Sequence, residues 1–156
     1  MSGFEQRDRS DDSLKVAAAA ELLSRGKAEI QSGNFVAARE LLERLLADYP
    51  NHSEAMYFMS VALRYEGNLE GALASLQNLI DIEPSYGRAW QEQGHTLLAF
   101  NDTAGARAAF QQAVRQNSSL IASWRQLAAL TNRVADPKAY DFFKDQFERL
   151  AALPPE

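Results

Sequence analysis

The residue types that carry most enzyme chemistry are few here, and they are scattered. His52 and His95 are the only histidines, 43 residues apart, and neither has a third ligand at a metal-binding spacing. Both read as surface or groove histidines. The chain has no cysteine, which removes disulfides, thiolate metal sites and a cysteine nucleophile together. Ser118 and Ser119 have no base assigned to them, and the acidic pair Asp11-Asp12 suits helix capping better than proton transfer. Gly67, Gly71 and Gly87 are separate turn or helix residues and form no phosphate-cradling loop. The expectation is a chain with no catalytic residue, no cofactor and no metal, and so not an enzyme in itself.

What the sequence does contain is a period. Gly26, Ser60, Gly94 and Ala128 recur every 34 residues, in phase with Ala38, Ala72 and Ala106 and with Pro50, Pro84 and Ser118. Large residues hold the columns between them: Leu22, Met56, Trp90 and Trp124 in one, Leu42, Leu76 and Phe110 in another. Short residues in a first helix let a second helix approach, with Ala38, Ala72 and Ala106 as the expected partners across the hairpin. Glycine supplies the positive φ just past a helix end, at Gly33-Asn34 and Gly67-Asn68. Asn101-Asp102 takes that place in the third unit, and proline ends the second helices at Tyr49-Pro50 and Glu83-Pro84.

The grammar predicts an all-α stack of about eight helices. Residues 1–12 read as a flexible polar tail, with Ser10, Asp11 or Asp12 capping a helix that begins near Ser13. The helical domain covers 13–153, with repeats at 19–52, 53–86, 87–120 and a divergent fourth at 121–153. The first helix of that fourth unit is expected over Leu120–Arg133, and the next starts one residue early, after Asp136-Pro137. No hairpin buries its apolar face alone, so about three or more units must stack. Truncating Trp90 to alanine is expected to cost on the order of 3–5 kcal/mol, as for other buried aromatics.

These columns resemble the tetratricopeptide repeat over Ala19 to Leu153, most closely in the third unit with Trp90, Gly94, Ala106, Phe110 and Ala113. Arg25 and Gln93 depart from the leucine usual there, and Glu29 from tyrosine. The resemblance implies a superhelical stack whose first helices line a concave groove. A narrower resemblance lies in Ala62-Leu63-Arg64-Tyr65, Arg88-Ala89-Trp90-Gln91-Glu92, Ala122-Ser123-Trp124-Arg125 and the ending Leu150-Ala151-Ala152-Leu153-Pro154-Pro155-Glu156. These strings look like the N-terminal repeat region of bacterial proteins fused to a sulfotransferase domain. That implies a non-catalytic part of a longer enzyme, docking substrate or the catalytic domain.

Repeat positions then give the groove. The expected partner-binding residues are Lys27, Tyr57, Arg64, Tyr65, Arg88, Gln91, His95, Arg125, Asn132 and Arg133. Counted over the whole lining, five cations face Glu54 as the single acid, although the chain carries a net charge of -5. Arg64, Arg88 and Arg125 are the expected anion contacts, with Tyr57 and Tyr65 as flat apolar ones. The expected partner is a protein or peptide segment bearing acidic and apolar groups. The carboxylate clamp of chaperone-tail-binding repeats is not reproduced, since Leu23, Lys27, Phe58, Arg88 and Glu92 hold the matching places and only Arg88 is chemically similar.

The overall acidity argues against nucleic acid, which needs a basic footprint. The absence of a long apolar run argues against a membrane span, and the polar start lacks a signal-peptide core. The reading is therefore cytoplasmic. In the last helix, Phe143, Phe147 and Leu150 form an inward stripe. Tyr140 and Phe142 are left for another surface, possible self-association among them.

Overall fold

The computed structural model describes residues 2–155, with side chains from residue 9 onward. Eight helices follow one another: α1 Ser2–Gln31, α2 Phe35–Asp48, α3 Ser53–Tyr65, α4 Leu69–Ile82, α5 Gly87–Ala99, α6 Thr103–Gln116, α7 Ile121–Leu130 and α8 Pro137–Ala151. No strand occurs among the described residues. The helices pack as hairpins, α1 on α2, α3 on α4, α5 on α6 and α7 on α8, and each hairpin leans on the next through α2–α3, α4–α5 and α6–α7. The first helices also touch, α1 to α3 and α3 to α5.

Local chemistry explains the boundaries. Gly33 and Gly67 take φ of +79° and +84° at the turns, and Asn101 takes +61° where the third unit lacks glycine. Side chains of His52, Asn68, Asp102 and Asp136 accept a hydrogen bond from the backbone N–H three residues on, satisfying donors that each helix start leaves over. His52 is thus an N-cap, through Nδ1 at 3.2 Å from Ala55 N.

Two ends differ from expectation. The backbone of α1 is helical from Ser2, so Ser10, Asp11 and Asp12 lie inside the helix instead of capping it. No proline interrupts that stretch, and Ser13 Oγ bonds back to Arg9 O at 2.9 Å as a helix permits. Of the expected tail over 1–12, Met1 and the side chains of 2–8 lie outside the described residues. Helix α7 stops at Leu130, short of Arg133. Asn132 Oδ1 accepts from the N–H groups of Val134 and Ala135 and folds the chain into a turn.

Three apolar clusters run along the stack. Leu42, Leu45, Ala55 and Met59 fill the first, Met56, Leu76, Leu79 and Ala89 belong to the second, and Phe110, Trp124 and Leu127 to the third. The short column makes room for the large residues opposite, more than for Ala38 and Ala106 alone. A Cβ at Gly94 would stand 2.6 Å from Phe110 Cε1, and one at Gly26 would stand 3.1 Å from Leu42. Ser60, fully buried, turns its hydroxyl to Tyr57 O at 2.6 Å.

Trp90 is only partly buried, its indole N–H donating to Pro84 O at 2.9 Å, whereas Trp124 is 8% exposed. The larger truncation cost therefore moves to Trp124. In denaturant unfolding, Trp124→Ala should lose about 3–5 kcal/mol and Trp90→Ala clearly less. Gly94→Ala should lose about 1–3 kcal/mol by overpacking against Phe110, which has no room to retreat. Phe110→Leu in the same molecule should recover part of that loss; if the double variant is as weak as the sum of the singles, the contact is not the cause.

Candidate functional site

The first helices enclose a cavity of about 510 Å³ on one side of the stack. It is walled by Ile30 and Gln31 of α1, Phe35 of α2, Tyr57, Phe58, Val61, Arg64 and Tyr65 of α3, and Gln91, Glu92 and His95 of α5. Helical spacing on α3 puts Tyr57, Val61, Arg64 and Tyr65 on one face, and the hairpin geometry turns that face to the groove.

The ten residues expected to form one lining are divided by the fold. Tyr57, Arg64, Tyr65, Gln91 and His95 line the cavity itself. Lys27 and Arg88 flank it, Lys27 lying 5.3 Å from the Phe58 ring centroid and Arg88 lying 4.6 Å from that of Tyr57. Arg125 and Arg133 instead lie over Phe147 and Tyr140 of α8, at 5.8 and 5.5 Å. Asn132 sits in the turn after α7. Tyr140 is consequently half-covered, while Phe142 stays 53% exposed beside Trp124 and Phe143.

Charge in the groove is more balanced than its sequence suggested. Lys27 Nζ is 2.8 Å from Glu54 Oε1. Arg64 donates to the Glu92 carboxylate through Nε and, at 3.4 Å, through a terminal nitrogen. Glu92 is 4% exposed, a buried acid inside the wall. Burial raises its carboxyl above the ordinary carboxylate value, opposed by Arg64 and Arg88. The Arg64 charge is thus held within the protein. Arg88, among the described residues, has no carboxylate partner.

The neutral members are equally fixed. Gln91 Oε1 accepts from Ser123 Oγ at 2.8 Å, tying α5 to α7. His95 packs edge-on against Phe110, centroids 5.1 Å apart. Burial, and then the Arg64 guanidinium, push its imidazole down to about 4. Burial raises the Tyr57 phenol as well. Phe35, Phe58 and Glu92 were not among the ten. Phe35 reaches the groove only because the turn at Gly33 folds α2 back along α1, a contact with no signature in the periodic columns.

The family model for the tetratricopeptide repeat matches residues 23–87 and 92–145. The chain belongs to the tetratricopeptide repeat family. No curated protein matches it in sequence. Among solved structures, its tetratricopeptide fold is similar to part of the O-GlcNAc transferase of Thermobaculum terrenum, with a TM-score of 0.78 and 21% identity, over 86% of this chain and 26% of that one. It thus spans about a quarter of that enzyme's length. The Sgt2 tetratricopeptide domain of Aspergillus fumigatus gives 0.69 and 20% identity, covering 88% of this chain and 86% of that one. The TPR2B domain of yeast Sti1, in complex with pHsp70, gives 0.63 and 13% identity, covering 86% and 97%. At these identities the likeness is one of fold. Among the described residues there is no group of side chains able to hold a metal ion, and no helix long and apolar enough to cross a membrane.

Two outcomes test the buried chemistry of this tetratricopeptide groove. Arg64→Met strands the Glu92 carboxylate and should cost about 3 kcal/mol, much of it recovered in Arg64→Met with Glu92→Leu. His95 has a folded pKa below its ordinary 6.5, so its contribution to stability is complete above that value and fades as the pH falls towards about 4. An NMR titration should show the His95 ring still neutral at a pH between those values; a midpoint near 6.5 would mean the ring is solvated.

Proposed function

We propose that this chain is a non-catalytic interaction scaffold that holds a peptide or protein segment, bearing acidic and apolar groups, in the groove of α1, α3 and α5. The observation that carries the reading is the pairing of an open cavity with an unmatched cation. Tyr57 and Phe58 present aromatic surface, and Arg88 lies over both rings without a direct ion pair among the described residues, its charge acting only at longer range on the buried Glu92 carboxyl. An acidic side chain or carboxylate of the ligand supplies what Arg88 lacks, while the rings take an adjacent apolar group. The other polar residues around the cavity, with Arg64 already paired to Glu92 and Gln91 bonded to Ser123, shape the site without competing for that anion. Sti1, a neighbour in fold, was solved with pHsp70, which supports protein binding as the use of such a surface.

Arg88 therefore takes over from the trio Arg64, Arg88 and Arg125 as the principal anion contact. Peptides selected from a random displayed library on the wild-type chain should bind Arg88→Glu about tenfold more weakly and Arg149→Glu, on the exposed face of α8, unchanged. Equal affinity for wild type and the Arg88 variant would end the groove reading.

A second reading, the repeat region of a larger bacterial enzyme of sulfotransferase-fusion type, is favoured by α8. None of its residues is fully buried, and Phe142 leaves an aromatic edge open where a further domain or a second copy would dock. Light scattering of Phe142→Glu beside wild type separates the two occupants: a dimer lost in the variant indicates a second copy. A reading frame continuing past Glu156 into a phosphosulfate-binding loop would support the fused enzyme, and a stop there would refute it.

A further inference from the structure

Beside the groove lies a second hollow of about 510 Å³, lined by Gly33, Asn34, Phe35, Val36, Ala37, Glu40 and Glu66. Gly33 and Phe35 belong to the walls of both cavities, so the two adjoin at the turn between α1 and α2. The junction is apolar and open to solvent. Phe35 stacks flat on Tyr65, centroids 4.6 Å apart with the planes 6° from parallel, and Arg64 lies over the Tyr65 ring at 4.4 Å. Tyr65 is 56% exposed and Val36 53%.

Charge is distributed unevenly along these adjoining hollows. In its middle the ions are matched inside the protein, Lys27 with Glu54 and Arg64 with Glu92. At one end, the start of α5, Arg88 is unmatched. At the other, beyond Phe35, the hollow is lined by two carboxylates: Glu66, which Arg39 bonds at 3.0 Å, and Glu40, which makes no ion pair among the described residues although it also lines a neighbouring hollow with Arg25 and Arg44. Adjoining hollows with a cation at one end and exposed carboxylate at the other are complementary to a ligand of the opposite polarity.

Resting on the groove reading, we propose that the occupant is an extended polypeptide segment with an acidic residue over Arg88, apolar residues along Tyr57 and Tyr65, and a lysine or arginine in the hollow beside Glu40. The aliphatic stem of that residue lies on Phe35 and Val36, and its charged head reaches the carboxylates. The two ends fix the direction in which the segment lies. A uniformly acidic segment would put like charge against Glu40 and Glu66 and be rejected there.

The test uses the peptides enriched from the random displayed library on the wild-type chain, titrated by fluorescence anisotropy against Glu40→Lys and Glu40→Gln. Glu40 is exposed on α2, so both variants are expected to fold, with circular dichroism as the check. Enriched peptides should carry a basic and an acidic residue on opposite sides of an apolar stretch. Glu40→Lys should weaken them about three- to tenfold, Glu40→Gln less, and alanine in place of the peptide's basic residue should erase the difference between variants. Peptides that lack a basic residue, or that bind Glu40→Lys as tightly as wild type, overturn the polarity while leaving the groove reading intact through its dependence on Arg88. Peptides indifferent to Arg88→Glu remove the groove reading and this inference with it.

Discussion

The groove exists because the two helices of a hairpin approach across a column of small residues, most closely at the glycines of the first and third hairpins. At Gly94 the face of Phe110 occupies the space where any Cβ would go, and at Gly26 Leu42 does the same less tightly. These contacts let the second helices bury their large residues completely, leaving Phe110, Leu42 and Leu76 with no exposed surface. Burial of that kind is the main favourable term available to the stack, since α2 to α8, of 10 to 15 residues, are marginal as isolated helices. Once the second helices are committed to the interior, the first helices are left with one face free. That free face is the wall of the cavity.

The same constraint decides the electrostatics. Residues on neighbouring first helices are brought side by side, and opposite charges there pair across the groove: Lys27 with Glu54, Arg64 with Glu92. The Arg64 pair is largely removed from water, so its attraction is offset by desolvation and its value lies in fixing α3 against α5. Pairing also edits what the groove displays. A surface whose residue types read as basic shows, after internal matching, one cation without a direct ion pair near Tyr57 and the carboxylates of Glu40 and Glu66 beyond Phe35. Aromatic faces lie between them and carry cations on several of their rings.

The fourth hairpin shows where periodicity loses its hold. Helix α7 ends three residues before the expected boundary because Asn132 offers its own side chain to the backbone, and α8 restarts behind Asp136. The shift draws Arg125 and Arg133 towards Phe147 and Tyr140 and away from the cavity. Residue spacing alone would have kept them in line with Arg64 and Arg88. The cation–aromatic contacts that moved them depend on Phe147 and Tyr140 of α8, the second helix of the divergent hairpin.

Local rules were enough for much of this protein. Left-handed turns at Gly33, Gly67 and Asn101, caps at Asn68, Asp102 and Asp136, and the small and large columns all act over a few residues or one repeat, so the order and extent of most helices could be read from the chain itself. The candidate residues Tyr57, Arg64, Tyr65, Gln91 and His95 were legible for the same reason: helical periodicity assigns a face. It cannot assign a partner. That Glu92 pairs with Arg64, that Arg88 makes no direct ion pair, and that Phe35 lines both the groove and a second hollow were decided only when separate helices met. Those contacts join residues far apart in sequence, and their energies depend on burial and on what lies opposite, quantities that no single segment contains.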